Sequence, residues 1–319
     1  MSTQKAMTSG AVIEARPSAV GMSATKRVLT RGTYAMPTTK VLPFLLVLLA
    51  AGLFCLPARG EIVFSEDFES GTLGDRWEKY KDDPALSDFE TRSINVNSGK
   101  RSYRISAPAS TGEGRIIRGM QYNESDSWIR TWFLPGYDVV YIRWYAKFAE
   151  DIKEGGMHWC QFWGSRPDNA RSVLGGAGRR PDGTDRFIAN VEPRPVDGVD
   201  SPGQIVFYTY WPDMLQSSDG RYWGNYFFPD QPFFIERGRW YCFEMMIKCN
   251  EPGKKDGEQA LWIDGKEILR VREMRWRDID ALRLNMVMFG NYRGRAEHDL
   301  TYWMDDLVIS TEYVGPMDK

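Results

Sequence analysis

The chain has 319 residues, a formal net charge of −2 at pH 7 and 26% charged residues. This ordinary balance provides no basic surface of the kind that binds nucleic acid, so no nucleic-acid partner is predicted. Aromatic residues reach 13%, and 12 of them are Trp. Such an aromatic content suits the core of a β-sandwich, and it also suits the stacking of sugar rings.

The only long apolar run extends from Val41 to Leu56 and contains a proline, and it is shorter than the about 20 residues that a membrane span needs. Lys40 precedes the run, and Ala58-Arg59-Gly60 follows it as a small-x-small site. This pattern predicts a secretory signal peptide cleaved after Gly60.

Cleavage there divides the chain into a leader, 1–60, and one mature domain, 61–319, which we expect to be secreted, periplasmic or on the cell surface, without a membrane span. Residues 1–35 are polar and unpatterned, which favours a true start at Met36. A long basic leader and an uncleaved anchor are the alternatives.

Three cysteines remain after the leader, and an odd number leaves at least one thiol free or paired between chains. Cys242 and Cys249 lie at opposite parity on one predicted strand, so they are not expected to pair with each other. A bond from Cys160 to either of them stays open.

Short segments of alternating polarity run through the mature chain and predict an all-β domain. Glu61–Phe68 reads as the first strand. Val139–Phe148 is the clearest strand, with apolar side chains on one face and Tyr141, Arg143, Tyr145 and Lys147 on the other. That second face is either a solvated outer face or the floor of a groove for an anionic sugar.

The next predicted strand, Met157–Trp163, carries His158 and Gln161 at opposite parity, so only one of the two can face a groove unless a bulge intervenes. Gly164–Pro202 is predicted to be a long irregular segment, rich in Gly, Pro and Arg, that includes Arg179 and Arg180. A segment of this length in a compact domain is usually functional or disordered.

Another strand, Gln204–Trp211, carries Tyr208 and Tyr210 on one face. They either line a groove or pack beneath a loop.

Farther along, a meander of strands is predicted from Trp240–Cys249, through a turn rich in Pro, Gly and Asp, to Glu258–Ile263. Asp264-Gly265 then forms a hairpin turn that leads into Lys266–Val271.

This meander resembles a known family of enzymes. The motif I-K-x-N-x-P-G-K-x-D-G at 247–257 and LWIDGK at 261–266 are similar to the core of jelly-roll polysaccharide lyases, in particular the alginate and glucuronan lyases of families 14 and 20. IVFYTYWP at 205–212 resembles the tyrosine-rich strand of these lyases, and YWMDDLVIS at 302–310 resembles their closing strand. The resemblance implies a concanavalin A-like jelly-roll sandwich of two antiparallel sheets.

The resemblance also implies cleavage of an acidic polysaccharide by β-elimination, with no required cofactor. Catalytic roles are carried over to Tyr210, Tyr208 and His158. The polar residues expected to bind the substrate are Arg143, Tyr145, Lys147, Gln161, Arg179 and Arg180.

Sandwiches of this kind often hold a structural Ca²⁺ between the first and last strands. Glu66 and Asp67, helped by Glu69, together with Asp305 and Asp306 offer the oxygen ligands that calcium prefers. The simpler alternative is that these carboxylates accept hydrogen bonds at strand ends.

Two non-enzymatic functions stay open: a carbohydrate-binding module of the same fold, and an adhesion domain of the laminin-G type. Other hydrolytic chemistries are disfavoured, because the chain has neither the paired carboxylates of a laminarinase-type strand nor a Gly-x-Ser-x-Gly or His-Glu-x-x-His motif.

Overall fold

A computed structural model describes residues 12–13, 60–109, 114–117, 120–123, 126–153, 155–293 and 297–318. The predicted leader therefore lies outside the described residues, apart from 12–13 and Gly60. Within the described ranges, no helix is long and apolar enough to cross a membrane. These residues belong to one compact unit.

Regular structure in the described ranges is almost entirely β. The strands in chain order are β1 Val12–Ile13, β2 Ile62–Glu66, β3 Trp77–Lys79, β4 Ser87–Glu90, β5 Ser102–Ala107, β6 Gly114–Ile117, β7 Met120–Asn123, β8 Trp128–Tyr137, β9 Val139–Phe148, β10 His158–Ser165, β11 Arg186–Arg194, β12 Gln204–Tyr210, β13 Asn225–Phe227, β14 Trp240–Lys248, β15 Gly257–Ile263, β16 Lys266–Met274, β17 Arg283–Tyr292 and β18 Leu300–Ser310. Two 3₁₀ helices cover Ser93–Asn95 and Pro167–Val173.

Two large sheets form the sandwich. The front sheet has the order β1-β13-β12-β11-β10-β17-β8-β3. The back sheet has the order β16-β15-β14-β9-β18-β5-β4, and β2 pairs beside it with the end of β18. All pairings are antiparallel except that of the two-residue β1 with β13. The predicted all-β sandwich of two antiparallel sheets is confirmed.

Aromatic side chains fill the space between the sheets, because the alternate apolar side chains of each strand point inward. Trp144 of the back sheet stacks on Phe243 at 5.4 Å between ring centroids and meets Trp159 of the front sheet edge-on at 5.9 Å. Full burial of a large apolar side chain contributes roughly 1.5–3 kcal/mol. The core alone therefore supports the fold without cross-links.

The cysteines agree with that conclusion. Cys160, Cys242 and Cys249 are all buried and all free, so the disulfide left open for Cys160 does not form. Cys160 belongs to the front sheet, whereas Cys242 lies on β14 of the back sheet.

One segment differs from its prediction. The stretch 164–202 is not irregular throughout, because it contains the nine-residue strand β11 in the middle of the front sheet. Phe187, Ala189 and Val191 point into the core, and the alternate residues point outward. The flanking Gly, Pro and Arg residues obscure this short alternation in the sequence.

Candidate active site

The outer surface of the front sheet, here called the front face, carries His158, Gln161, Tyr208 and Tyr210 of the predicted site. Directly paired residues of antiparallel strands share a face. The register pairs Gln161 with Asn190, Asn190 with Tyr208 and Tyr208 with Tyr226, which makes one row across four strands. In the adjacent row, Ile188 pairs with Tyr210.

A β-bulge brings His158 onto this same face. The pairing of β10 with β17 shifts register between His158 and Cys160, and both Trp159 and Cys160 belong to the core. Two consecutive inward residues reverse the parity of the strand. His158 and Gln161 therefore both face outward, although their spacing in a regular strand would place them on opposite faces.

A carboxylate on β11 holds the imidazole. Glu192 Oε1 lies 2.6 Å from His158 Nδ1 and also accepts a hydrogen bond from Asn190 Nδ2 at 3.0 Å. Glu192 is buried, whereas 35% of the His158 side chain is exposed. The arrangement anchors one edge of the ring and leaves its Nε2 edge toward solvent.

Aromatic rings enclose the imidazole from both sides. Tyr208 stacks on His158 at 5.2 Å and 22°, and Tyr292 stacks on its other face at 5.4 Å and 7°. Burial opposes protonation of His158, but the carboxylates of Glu192 and Asp126 outweigh it and raise the pKa of the imidazole. The protonated form of the ring is thus favoured, and its orientation is fixed.

The two candidate tyrosines form a hydrogen-bonded pair, with 3.2 Å between their hydroxyl oxygens. Burial raises the pKa of Tyr208 far above its usual range. Burial also raises the pKa of Tyr210, but the Tyr208 hydroxyl and the backbone N–H groups of Gly178 and Gly224 oppose this rise through hydrogen bonds. Of the two phenolic oxygens, Tyr210 Oη is thus the one that accepts hydrogen bonds from backbone N–H groups.

Two glycines close over this pair. A Cβ on Gly224 would lie only 2.6 Å from Cζ of Tyr208, so the backbone packs directly on the phenol. The Tyr222 N–H donates to the Gly178 carbonyl at 3.1 Å and joins the two covering loops, 174–185 and 212–224. As a result, Tyr208 and Tyr210 are only 7% and 5% exposed.

Two amides of the row retain free hydrogen-bonding groups. Asn190 Oδ1 is buried without a partner among the described residues. Gln161 is also buried, and no side-chain hydrogen bond of its amide is found within the described part of the chain. A buried amide without a partner is costly unless a ligand or water satisfies it. A polar ligand on the front face could therefore form hydrogen bonds with these two amides.

Several arginines rim this surface. Arg179 donates to the Gly175 carbonyl at 3.1 Å, and Arg180 lies over the Tyr222 ring at 5.2 Å; both are exposed. Arg194 lies over the ring of Tyr226 at 4.2 Å. The rim thus adds positive charge beside the row.

Arg143, Tyr145 and Lys147 lie elsewhere. They were predicted to bind the substrate together with the tyrosine strand, but β9 pairs with β14 and β18 in the back sheet. Their side chains lie on the outer surface of that sheet, here called the back face. They cannot form one groove with Tyr208, because the core separates the two faces.

Covering segments bond to part of the back face, beside a cavity of about 480 Å³ that Tyr145 and Met317 line. Lys147 Nζ donates to the Ile94 carbonyl at 2.7 Å and to Asn95 Oδ1 at 3.0 Å. The C-terminal segment covers the other side, where Met317 N–H donates to Tyr145 Oη at 2.8 Å. These contacts explain why Lys147 and Tyr145 can be buried there, whereas Arg143 Nε and Nη1 are buried without a partner among the described residues.

The predicted calcium ligands mostly accept hydrogen bonds. Asp305 Oδ2 accepts the backbone N–H groups of Asn97 and Ser98, and Glu66 accepts from Phe68 N–H and Trp77 Nε1–H. Within the described ranges, no group of three or more His, Cys, Asp or Glu side chains could hold a metal.

Glu66, Asp67 and Asp306 nevertheless line a pocket of about 250 Å³ together with Arg143. The Arg143 guanidinium competes with any cation for these carboxylates. Structural calcium stays a prediction.

Sequence reasoning missed Asn190, Glu192, Arg194 and Tyr226 as site residues. Asn190, Glu192 and Arg194 lie on β11, which is part of the segment predicted to be irregular. The signal that could have revealed the strand is the alternation of Ala189 and Val191 with Asn190 and Glu192.

Residues 205–305 match the family model of polysaccharide lyase 14. The matched segment contains Tyr208 and Tyr210 and ends before the last residues of β18. It does not contain His158, Gln161 or Glu192. The resemblance to polysaccharide lyases is confirmed over this segment. No curated protein sequence matches the chain.

Solved structures of such lyases share the fold. The alginate lyase vAL-1 from Chlorella virus is 15% identical, with a TM-score of 0.54 over 79% of this chain and 100% of that chain. The PL-14 alginate lyase from Aplysia kurodai is 15% identical, with a TM-score of 0.53 over 80% and 100%.

The endo-β-1,4-glucuronan lyase from the fungus Trichoderma reesei is also 15% identical, with a TM-score of 0.51 over 79% of this chain and 96% of that chain. The chain thus has a segment that matches the polysaccharide lyase 14 model, within a sandwich fold that these lyases share.

Proposed function

We propose that this relative of the polysaccharide lyase 14 family cleaves an acidic polysaccharide of the alginate or glucuronan type by β-elimination. One observation carries the proposal: a pair of tyrosines, an anchored imidazole and a free amide converge on the front face, around Tyr208, Tyr210, His158 and Gln161.

β-Elimination requires a group that neutralises the uronate carboxylate, a base for the C5 proton and an acid for the leaving oxygen. Cationic His158 and the amide of Gln161 are suited to the first task. They would make the C5 proton more acidic by stabilising the charge that develops on the carboxylate.

The tyrosine pair supplies the base and the acid. Tyr210 Oη, which receives N–H donors, is the better-stabilised phenolate and takes the C5 proton. The electron pair of the C5–H bond forms the C4–C5 double bond, and the C4–O bond breaks. The leaving oxygen takes the proton of Tyr208, whose raised pKa keeps it protonated before the step.

Access to these hydroxyls requires movement of the covering loops, because Gly178 and Gly224 lie against the phenols. We expect the polymer to enter by displacing the 212–224 loop from the front face. Closure of such loops is a common way to exclude water from a reaction.

The coverage of the tyrosines also supports a second candidate, a non-catalytic carbohydrate-binding module of the same fold. Such a module would need only partly exposed rings on the front face, and Trp163, Tyr226 and Tyr292 are half-buried rings of this kind. It would bind a polysaccharide without cleaving it.

The deciding experiment follows absorbance at about 235 nm, the signal of an unsaturated uronate, with polymannuronate, polyguluronate and polyglucuronate as substrates. Tyr210→Phe removes the proposed base and is expected to lower kcat by about 100-fold or more. The matched control is Tyr141→Phe on the back face, which is expected to retain full activity.

Equal losses in the two variants would show that the front-face phenol has no special role. The binding module would be favoured if no polymer gave a product while one of them bound with measurable affinity. We also propose that the protein is secreted, and N-terminal sequencing of exported protein should give a chain that begins at Glu61.

A further inference from the structure

We infer that Glu192 is a positioning residue that holds His158 as an imidazolium, so that its Nε2 edge receives the carboxylate of the substrate. This inference rests on the proposed function and deepens it, because it assigns His158 to carboxylate recognition rather than to proton transfer from C5.

The geometry of the contact carries the inference. Glu192 Oε1 and His158 Nδ1 are 2.6 Å apart, which is the length of a strong charge-assisted hydrogen bond. Glu192 is buried, and an isolated buried carboxylate is very costly unless a cation pairs with it. Among the described residues, the imidazole lies within ion-pair distance of Glu192 and can carry that positive charge.

The surroundings of the ring fix its position. Tyr208 of β12 and Tyr292 of β17 stack on its two faces, and Asp126 adds a second negative charge near it. Glu192 of β11 holds the Nδ1 edge. Two phenol faces favour a cation between them, which acts in the same direction as the carboxylates of Glu192 and Asp126 and against the effect of burial.

A protonated ring with a fixed Nδ1 can donate only through Nε2–H. It has no lone pair available to remove the C5 proton, so it cannot act as the base. A donor at this position suits a carboxylate acceptor, and Gln161 on the same strand can add an amide N–H. The same Glu192 oxygen also accepts the Asn190 Nδ2–H and so orients that amide beside the imidazole.

The first test is direct because the chain contains only two histidines, His158 and His298. Each gives one Cε1–H signal in a carbon–proton correlation spectrum of the full protein, and a His158→Gln variant assigns them. In Glu192→Gln, the His158 titration midpoint is expected to fall by about one unit or more. Glu192→Asp keeps the charge but shortens the side chain, and it should restore part of the shift.

The second test measures binding without turnover. In the Tyr210→Phe background, calorimetry with tetrameric oligomannuronate, oligoguluronate and oligoglucuronate is run from pH 5 to pH 9. Affinity is expected to fall as pH rises through the His158 midpoint. At pH 9, above both midpoints, adding Glu192→Gln should weaken binding by up to about tenfold, which corresponds to a midpoint shift of about one unit. Methyl-esterified oligomers should show neither effect.

An unchanged His158 midpoint in Glu192→Gln would overturn the inference, and so would equal, pH-independent binding of the acid and ester forms. The proposed function fails by a different result, which is the absence of 235 nm product from the wild-type protein. The two outcomes are therefore distinguishable, because neither histidine titration nor oligomer binding depends on cleavage.

Discussion

The front and back faces of the sandwich present similar side chains but differ in what lies on top of them. On the back face, the polar groups of Lys147 and Tyr145 are bonded to the segments that cover them. On the front face, Asn190 Oδ1 is buried and has no partner among the described residues. Phenols and cations on a strand thus build structure where a covering segment bonds to them, as at Lys147 and Tyr145. Arg143 is the exception on the back face, because its Nε and Nη1 have no partner among the described residues.

Removal of one polar group from the front face is the strongest test of this difference between the two faces. Gln161→Leu should lower kcat/KM for the polyuronate substrate by about 100-fold, because one donor to the developing charge is lost. Its unfolding free energy should change little, because Gln161 has no hydrogen bond within the described residues to lose. Denaturant unfolding and the 235 nm assay measure the two quantities on one sample.

The opposite result is expected on the back face. Glu244 is buried and accepts the N–H groups of Val314 and Gly315, both at 2.7 Å. Glu244→Ala leaves both donors unpaired and should lower the unfolding free energy by about 2–3 kcal/mol. Activity per folded molecule should stay at the wild-type level. Loss of activity with unchanged stability would contradict the assignment of the back face to structure.

A smaller effect tests the loops over the tyrosines. Gly224→Ala would place a Cβ 2.6 Å from Cζ of Tyr208 and force the 212–224 loop away from the front face. Stability should fall by about 1–2 kcal/mol, as for other overpacked sites. Gly74→Ala is the control, because nothing lies within 4 Å of a Cβ at that position. Similar melting temperatures for the two variants would argue against close packing on Tyr208.

The smallest expected effect concerns the dependence of stability on pH. Because the pKa of His158 is raised in the folded protein, its contribution to stability is fully present below the unfolded value, about 6.5. That contribution is lost as pH rises through the folded pKa. Melting temperatures from pH 5 to pH 9 should show this loss in the wild type and a flatter profile in Glu192→Gln. A steeper profile in the variant would contradict the sign.

The sequence was sufficient for the fold because alternation of apolar residues is a local signal. The strand β9 shows both the strength and the limit of that signal. Its inward residues, Ile142, Trp144, Ala146 and Phe148, are all in the core as predicted. The pattern could not assign β9 to a sheet, because hydrogen-bonded neighbours in a sandwich come from distant parts of the chain.

The candidate site was only partly predictable for related reasons. Tyr208 and Tyr210 share a face through simple alternation, and both lie on the front face. Which outward face is covered depends on segments far away in sequence, such as the C-terminal residues over Tyr145. Arg143, Tyr145 and Lys147 therefore had the composition of a sugar groove without its exposure.

The bulge in β10 has a consequence for any comparison of this strand with other chains. The alternation of inward and outward side chains along β10 shifts by one residue at Trp159 and Cys160. Counting back from Trp163 in steps of two would therefore assign the core residue Trp159 to the position that His158 occupies. An alignment of this strand needs a one-residue gap at the bulge. A single deletion there should restore regular alternation and leave both His158 and Gln161 on the front face.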